Sequence, residues 1–144
     1  MYATGRNISA FLLSWLLLCP ILFYSCKGDK PPDTLFSKLD AGTSGIHFSN
    51  TITENDSVNL VVDEYTYMGS GVGVGDFNRD GLPDLFFAAS QATCRLYLNL
   101  GNHRFEDITK KAGVETTSWC TGVSVEDINN DGWPDIYVCV SGNV

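Results

Sequence analysis

The feature that most constrains the fold is a segment that occurs twice in the second half of the chain. Residues 71–86 read GVGVGDFNRDGLPDLF, and residues 122–137 read GVSVEDINNDGWPDIY. The copies are offset by 51 residues, and nine of the sixteen aligned positions are identical. A duplication at this period is typical of repeat arrays and propellers, in which one supersecondary unit needs its neighbours to bury its apolar face. The chain is therefore expected to fold as a repeat protein.

The stretch between the two copies has the pattern of short strands. Residues 85–89 form an apolar run, and a Gly-Asn turn joins residues 96–100 to residues 104–109, which alternate with a period of two. Residues 109–113 fit one helical turn closed by glycine. One period thus holds about four short strands, the content of a propeller blade, so we predict an all-β fold. For residues 35–67 we predict an irregular lead-in with one or two strands.

The repeated loop has the side-chain pattern of a calcium site. In both copies Asp or Asn stands at loop positions 1, 3, 5 and 9 and Gly at position 6, while position 7 can add a main-chain carbonyl. Ca²⁺ takes about six to eight oxygen ligands, and alternate residues of a tight loop can direct their oxygens to one centre. The predicted ligands are Asp76, Asn78, Asp80, Leu82 and Asp84 in the first loop and Asp127, Asn129, Asp131, Trp133 and Asp135 in the second.

Two other interpretations of the loops compete with calcium binding. An EF-hand needs a bidentate Glu at position 12, where Phe87 and Val138 stand. A pair of Asx turns without metal would use the same residue types, because Asp, Asn and Gly are common in turns. The identical spacing in two copies favours metal binding, with a structural rather than a catalytic role. Phe77 and Ile128, which lie between ligands, are predicted to point inward as packing residues.

At these loops the chain resembles a known family. GDFNRDGLPDL and EDINNDGWPDI are similar to the calcium loop of FG-GAP/VCBS repeats, the blades of integrin-alpha-type β-propellers. The segments YMGSGVGVGD, LYLNLGN and SGIHF resemble the ASPIC/UnbV (cartilage acidic protein-like) group. The resemblance implies an incomplete β-propeller over residues 36–144, with two calcium-loop repeats at about 70–90 and 121–140.

The N-terminus has the pattern of an export signal. A single charge, Arg6, precedes an almost wholly apolar run of 17 residues. A retained membrane anchor is the alternative, because that length lies at the lower limit of a membrane span. The motif LFYSC resembles the lipobox of bacterial lipoproteins, which implies cleavage before Cys26 and lipidation of that residue. We therefore predict a lipoprotein signal peptide at 1–25 and a polar, proline-containing tether at 26–35.

The charge balance and the cysteines limit the partners and the covalent chemistry. The formal net charge is −8, which argues against nucleic-acid binding, and six of the 17 acidic residues lie in the two loops. Beyond the signal and Cys26, the cysteines are Cys94, Cys120 and Cys139, and no C-x-x-C motif occurs. One disulfide is possible, and Cys120 with Cys139 would flank a turn, but the spacing does not decide the pairing.

Glycines alternate along the chain immediately before the first loop. Gly69, Gly71, Gly73 and Gly75 fit neither the dinucleotide nor the P-loop pattern, and the following Asp76 would repel a phosphate. We predict instead that these glycines let strands approach one another closely.

No nucleophile or general acid–base group is assembled outside the loops, so the chain is not expected to be an enzyme. We predict a calcium-binding, lipid-anchored propeller segment of the cell envelope that recognises a protein or a glycan. The alternative is a fragment of an exported, calcium-dependent polysaccharide-degrading enzyme. Four large aromatic residues are interpreted as core or blade-edge residues, with sugar stacking as the alternative; they are Tyr65, Tyr67, Trp119 and Trp133.

The length suggests part of a longer protein. Propellers have about four to eight blades, whereas the 119 residues after the predicted signal supply just over two periods of 51. We therefore expect an N-terminal fragment of a bacterial lipoprotein, and the alternative is a small calcium-stapled module that assembles by oligomerising. It is expected to be exported and lipid-anchored, in the outer membrane, facing the periplasm or the cell surface.

Overall fold

The computed structural model describes residues 35–141. The predicted signal peptide, Cys26, nearly all of the tether and residues 142–144 lie outside the described residues. A compact unit begins at Leu39. Within residues 35–141, no helix has the length and apolar character needed to cross a membrane.

The described residues form short antiparallel strands with two helical turns. In chain order the elements are α1 (Ala41–Ser44), β1 (Val72–Gly75), β2 (Asp84–Phe87), β3 (Arg95–Asn99), β4 (Phe105–Asp107), α2 (Thr109–Ala112), β5 (Cys120–Glu126) and β6 (Asp135–Val140). This composition is consistent with the predicted all-β class. The helical turn predicted over residues 109–113 is confirmed as α2, which ends at Gly113 with a left-handed φ of 71°.

The first sheet is an antiparallel meander in the order β1-β2-β3-β4. Its register places Val74 opposite Leu85, Phe86 opposite Leu96, and Leu98 opposite Glu106. Strands β2, β3 and β4 lie where the apolar run and the alternating segments predicted them. The second sheet, of β5 and β6, repeats the β1–β2 hairpin and pairs Val123 with Val138.

The prediction of one or two strands in residues 35–67 is wrong for the described part of that segment. It forms α1 and a series of turns instead. Asn55 accepts hydrogen bonds from the N–H groups two and three residues ahead, Asn59 does the same, and Asp63 accepts from the N–H of Tyr65. Such local side-chain acceptors satisfy the main chain without a neighbouring strand, so they favour turns over a sheet.

The core lies between the first sheet and the start of the second. Its fully buried members are Phe86, Ala88, Ala89, Cys94, Leu96 and Cys120. Phe87 extends the packing outward, because its ring stacks on Phe48 at 4.9 Å and meets Tyr97 edge-on at 5.7 Å. Residues of both sheets therefore share one apolar cluster, as a repeat protein requires.

The predicted close approach of strands is confirmed at Gly71, Gly73 and Gly75, but it is wrong for Gly69, where an added Cβ would meet nothing within 4 Å. Strand β1 packs against β5, and a Cβ atom on Gly73 would lie 2.7 Å from Cγ2 of Val125. A Cβ on Gly71 would lie 2.7 Å from the backbone nitrogen of Val123. Real Cβ contacts of that length do not occur, so only glycine lets the first strands of the two sheets lie this close.

Candidate metal centre: two repeated loops

Each repeated loop connects the first two strands of a sheet, so both loops occupy equivalent places in the fold. In the first loop Arg79 has a φ of 61° and Gly81 a φ of 86°. In the second loop Asn130 has a φ of 60° and Gly132 a φ of 86°. Two left-handed residues at positions 4 and 6 turn the chain tightly, and the glycine removes the steric penalty at the more extreme one. The spacing that the two loops share therefore gives the same backbone conformation twice.

Side chains at positions 1, 3 and 5 hold the first loop from within. The carboxylate of Asp76 accepts from the N–H of Asp80 at 3.1 Å through Oδ1 and from the N–H of Gly81 at 2.8 Å through Oδ2. Asn78 Oδ1 also accepts from the N–H of Asp80, at 3.0 Å. Asp80 Oδ1 accepts from the N–H of Leu82 at 2.8 Å, and its Oδ2 accepts from Asn78 Nδ2 at 2.8 Å.

The second loop reproduces this network bond for bond. Asp127 accepts from the N–H groups of Asp131 and Gly132 at 3.0 and 2.8 Å. Asn129 Oδ1 accepts from the N–H of Asp131 at 2.9 Å, and Asn129 Nδ2 donates to Asp131 Oδ2 at 3.0 Å. Asp131 Oδ1 accepts from the N–H of Trp133 at 2.8 Å. The two loops are thus equivalent in side-chain geometry as well as in sequence.

The carboxylates at position 9 close both loops but differ in their surroundings. Asp84 Oδ2 accepts from the N–H of Phe77 at 2.9 Å, and Asp135 Oδ2 accepts from the N–H of Ile128 at 3.0 Å. Asp84 is fully buried, and its Oδ1 accepts a further bond from the N–H of Asn99 in β3 at 2.8 Å. Asp135 is only half-buried, since within the described residues β6 pairs with β5 alone.

The predicted ligands of each loop lie within one hydrogen-bonded turn. Their donor atoms are carboxylate, amide and carbonyl oxygens, which suit a hard cation such as Ca²⁺. Within residues 35–141, however, no group of three or more His, Cys, Asp or Glu side chains is arranged to hold a metal ion. The carboxylates at positions 1, 5 and 9 instead accept hydrogen bonds from the loop's own N–H groups. The metal assignments, including the carbonyls of Leu82 and Trp133, remain predictions.

The two residues between ligands behave differently. Phe77 packs against the core cluster as predicted, whereas the prediction for Ile128 is wrong, because that side chain is 63% exposed. The Phe77 ring lies 3.2 Å from the place where a Cβ of Gly75 would stand. The residue equivalent to Gly75 in the second copy is Glu126. The two copies therefore differ both in the residue beside this position and in the exposure of the side chain.

Sequence reasoning missed a contact between the loops. The guanidinium carbon of Arg79, at position 4 of the first loop, lies 4.6 Å from the ring centre of Trp133, at position 7 of the second. It also missed Asn99, which holds the first loop through its N–H to Asp84 and through Nδ2 to the carbonyl of Pro83 at 2.9 Å. The Asn-Leu-Gly-Asn turn was the available signal for Asn99, but its distance from the loop in sequence concealed the role.

A groove lies beside the start of β5. It has a volume of about 370 Å³, and its lining includes Asp63, Tyr65, Met68, Trp119 and Thr121. Tyr65 is 62% exposed, so it is not a core residue, and the interpretations as a blade-edge residue or a sugar-stacking residue stay predictions. The groove therefore combines two aromatic rings with a carboxylate and a hydroxyl group.

Comparison with known proteins identifies the repeat. Residues 76–138 match the FG-GAP-like repeat family. The chain is 31% identical to cartilage acidic protein 1 of Mus musculus and 28% identical to that of Homo sapiens, in both cases over 94% of its length. It spans about a fifth of the length of these relatives, 20% and 19%. No solved structure matches the chain significantly. Residues 76–138 therefore belong to the FG-GAP-like repeat family, and the chain is similar to cartilage acidic protein 1.

Proposed function

We propose that each repeated loop binds one Ca²⁺ and that the ions stabilise the loops. The observation that carries the proposal is the matched network of hydrogen bonds in two loops 51 residues apart. Asx turns alone need Asp, Asn and Gly, but they do not need the same acidic residue at position 9 in both copies. Two such loops concentrate six carboxylates, whose mutual repulsion a divalent cation would offset.

The first loop illustrates what binding would require of the chain. Asp76 and Asp84 already hold backbone N–H groups, but each carboxylate oxygen has a second lone pair for a cation. Asp80 would turn Oδ2 away from Asn78 Nδ2 and toward the centre. Both of those side chains are exposed, so the rotation displaces no packed neighbour. A bound Ca²⁺ would supply positive charge to the loop, and the carbonyl of Leu82 would complete the oxygen set.

Thermal unfolding of the 144-residue chain tests this proposal. The midpoint is expected to rise when Ca²⁺ replaces a chelator, because a ligand that binds only the folded state stabilises it. Asp80→Ala and Asp131→Ala should each remove part of the rise. The matched control is Asp56→Ala, which removes an exposed carboxylate outside the loops. A midpoint that does not respond to Ca²⁺ would overturn the proposal.

We also propose that β1–β4 form one blade of a calcium-stabilised β-propeller and that β5 and β6 begin the next. The four-stranded antiparallel meander, the FG-GAP-like repeat and the packing of β1 against β5 support this proposal. Because the chain spans about a fifth of its relatives, the function of the whole protein rests on analogy. We infer recognition of a ligand, without catalysis, as that function.

The aromatic groove favours a glycan over a protein as the ligand. Its volume lies in the usual range of small-molecule sites, about 300–1,000 Å³. Trp119 and Tyr65 offer apolar ring faces for a sugar, and Asp63 and Thr121 offer hydrogen-bonding groups to its hydroxyls. On a glycan array the chain should bind, and Trp119→Ala should lose that binding. The control Tyr137→Ala changes an exposed aromatic outside the groove lining. A protein partner captured equally by the chain and Trp119→Ala would contradict the glycan assignment.

Finally, we propose that the protein is exported and anchored in the bacterial cell envelope through a lipid on Cys26. The support is the sequence alone: the apolar run after Arg6 and the motif LFYSC. Labelling with palmitate in cells tests the anchor. Incorporation into the wild type and none into Cys26→Ala is expected, and equal labelling of both would contradict it.

A further inference from the structure

Two cysteines from different sheets meet in the core. The Sγ atoms of Cys94 and Cys120 lie 3.5 Å apart, and both residues are fully buried. Cys94 immediately precedes β3 in the first sheet, and Cys120 begins β5 in the second. The structure holds both as thiols.

Main-chain hydrogen bonds hold the backbone of both cysteines in place. The N–H of Cys94 donates to the carbonyl of Thr116 at 3.1 Å, and the N–H of Cys120 donates to the carbonyl of Ala89 at 2.9 Å. Ser70 Oγ also donates to the carbonyl of Cys120 at 2.6 Å. These bonds hold the two segments together independently of the thiols, so the thiol contact is part of the fold.

The alternative partner for Cys120 is Cys139, which the sequence spacing left open. Cys139 is exposed on β6, where it stands opposite Gly122 rather than Cys120. Cys120 is opposite Val140, beside an irregularity in the ladder, and its thiol lies in the buried cluster. The geometry therefore separates Cys139 from the pair.

We propose that Cys94 and Cys120 form a disulfide that joins the two sheets when the protein folds in an oxidising environment. In the reaction the two thiols lose two protons and two electrons, and the Sγ–Sγ bond forms. A disulfide-bearing oxidant, such as oxidised glutathione or a thiol–disulfide exchange protein, accepts both electrons and is released as two thiols. Closing the contact to a bond of about 2.05 Å needs a movement of roughly 1.5 Å. The proposed export supplies the oxidising compartment in the cell, but the pairing itself does not depend on it.

The timing of oxidation follows from burial. Burial raises the pKa of the Cys120 thiol to about 11, and the hydrogen bond to Cys94 adds to the shift. Because the thiolate is the attacking species, the folded dithiol reacts slowly. The disulfide should therefore form during folding, before the core closes, while the exposed Cys139 stays reactive in the folded protein.

Peptide mapping of the full chain tests the pairing. The chain is unfolded, reduced and refolded in a glutathione redox buffer, and is then alkylated after denaturation without a reductant. We expect a peptide that links Cys94 to Cys120 and an alkylated Cys139. Recovery of Cys94 and Cys120 as alkylated thiols, or a peptide linking Cys120 to Cys139, would overturn the proposal.

Thermal unfolding provides the second readout. Reduction should lower the midpoint of the oxidised wild type on the order of 10 °C, because a cross-link between the sheets restricts the unfolded chain. The double variant Cys94→Ala/Cys120→Ala should not respond to reductant, and Cys139→Ala should respond like the wild type. A wild-type midpoint that reduction leaves unchanged would contradict the proposal.

Failure of the disulfide proposal can be distinguished from failure of the proposed export and of the proposed calcium binding. If the linked peptide forms on refolding but is missing from protein recovered from cells, the pairing holds and the export proposal fails. The proposed calcium ligands lie in the loops, whereas the two cysteines lie in the core. Asp80→Ala should therefore leave the linked peptide unchanged.

Discussion

The guanidinium of Arg79 lies 4.6 Å from the ring centre of Trp133, so the two repeated loops touch. A cation over an indole ring contributes about 0.5–1 kcal/mol at exposed sites. The contact joins position 4 of one loop to position 7 of the other. It therefore couples the two candidate metal centres physically.

This contact predicts that Arg79→Ala lowers the free energy of unfolding by about 0.5–1 kcal/mol. The matched control is Asn130→Ala, which changes the equivalent residue of the second loop at nearly the same φ. Urea unfolding of Arg79→Ala, Trp133→Leu and the double variant measures the coupling, and leucine is the residue that the first loop carries at position 7. Strictly additive effects of the two substitutions would contradict it.

The equivalent glycines of the two copies should respond differently to alanine. A Cβ on Gly71 would lie 2.7 Å from the backbone nitrogen of Val123, whereas a Cβ on Gly122 meets nothing closer than 3.9 Å. Gly71→Ala should therefore cost about 1–3 kcal/mol of unfolding free energy through overpacking. Gly122→Ala should cost much less. Denaturant unfolding of both variants tests this, and equal losses would mean that β1 and β5 do not pack as described.

The carboxylates at position 9 should also differ in a calcium-free buffer. Asp84 is buried and accepts from the N–H groups of Phe77 and Asn99. Asp84→Ala leaves both donors without their acceptor and should lower the free energy of unfolding by about 2–4 kcal/mol. Asp135→Ala removes one hydrogen bond from a half-buried site and should cost about 1 kcal/mol. Urea unfolding in the presence of a chelator measures both, and a larger loss for Asp135→Ala would be inconsistent with the structure.

Asp107 predicts a pH dependence of stability. Burial acts to raise the pKa of this carboxyl, but hydrogen bonds from Thr109 and the charge of Arg95 hold the pKa below its ordinary value. A carboxyl with a depressed pKa stabilises the folded state above its unfolded pKa of about 3.9, and this contribution is lost as the pH falls through the folded pKa. The ion pair with Arg95 is partly exposed, so the effect should stay below about 1 kcal/mol.

Unfolding free energy measured from pH 6 down to the acid limit checks this prediction. In the acid range, the free energy of unfolding of Asp107→Asn should fall less steeply than that of the wild type. Glu106→Gln is the control, because Glu106 is the exposed neighbouring acid on the same strand. Identical acid profiles for Asp107→Asn and the wild type would show that Asp107 carries no pH-linked stability.

The sequence predicted the local structure of the repeats because their signals are local. Alternation and an apolar run located β2, β3 and β4, and the glycine after residue 112 located the end of α2. The turn residues Asp, Asn and Gly located both loops. Each of these signals lies within a few residues of the feature that it determines.

The features that the sequence did not predict depend on contacts between distant residues. Ile128 is exposed although its equivalent, Phe77, packs against the core cluster, and the pattern that the two loops share does not distinguish these residues. The pairing of Cys94 with Cys120 depends on how the two sheets meet. The predicted strands do not form at residues 55–65, because side-chain acceptors there satisfy the main chain locally.

Calorimetric titration of Ca²⁺ into the metal-free 144-residue chain tests the central claim most directly. Two ions per chain are expected, with one ion lost in Asp80→Ala, one lost in Asp131→Ala, and none bound by the double variant. Wild-type protein that is folded by circular dichroism and still takes up no Ca²⁺ would contradict the account, as would uptake that the double variant retains.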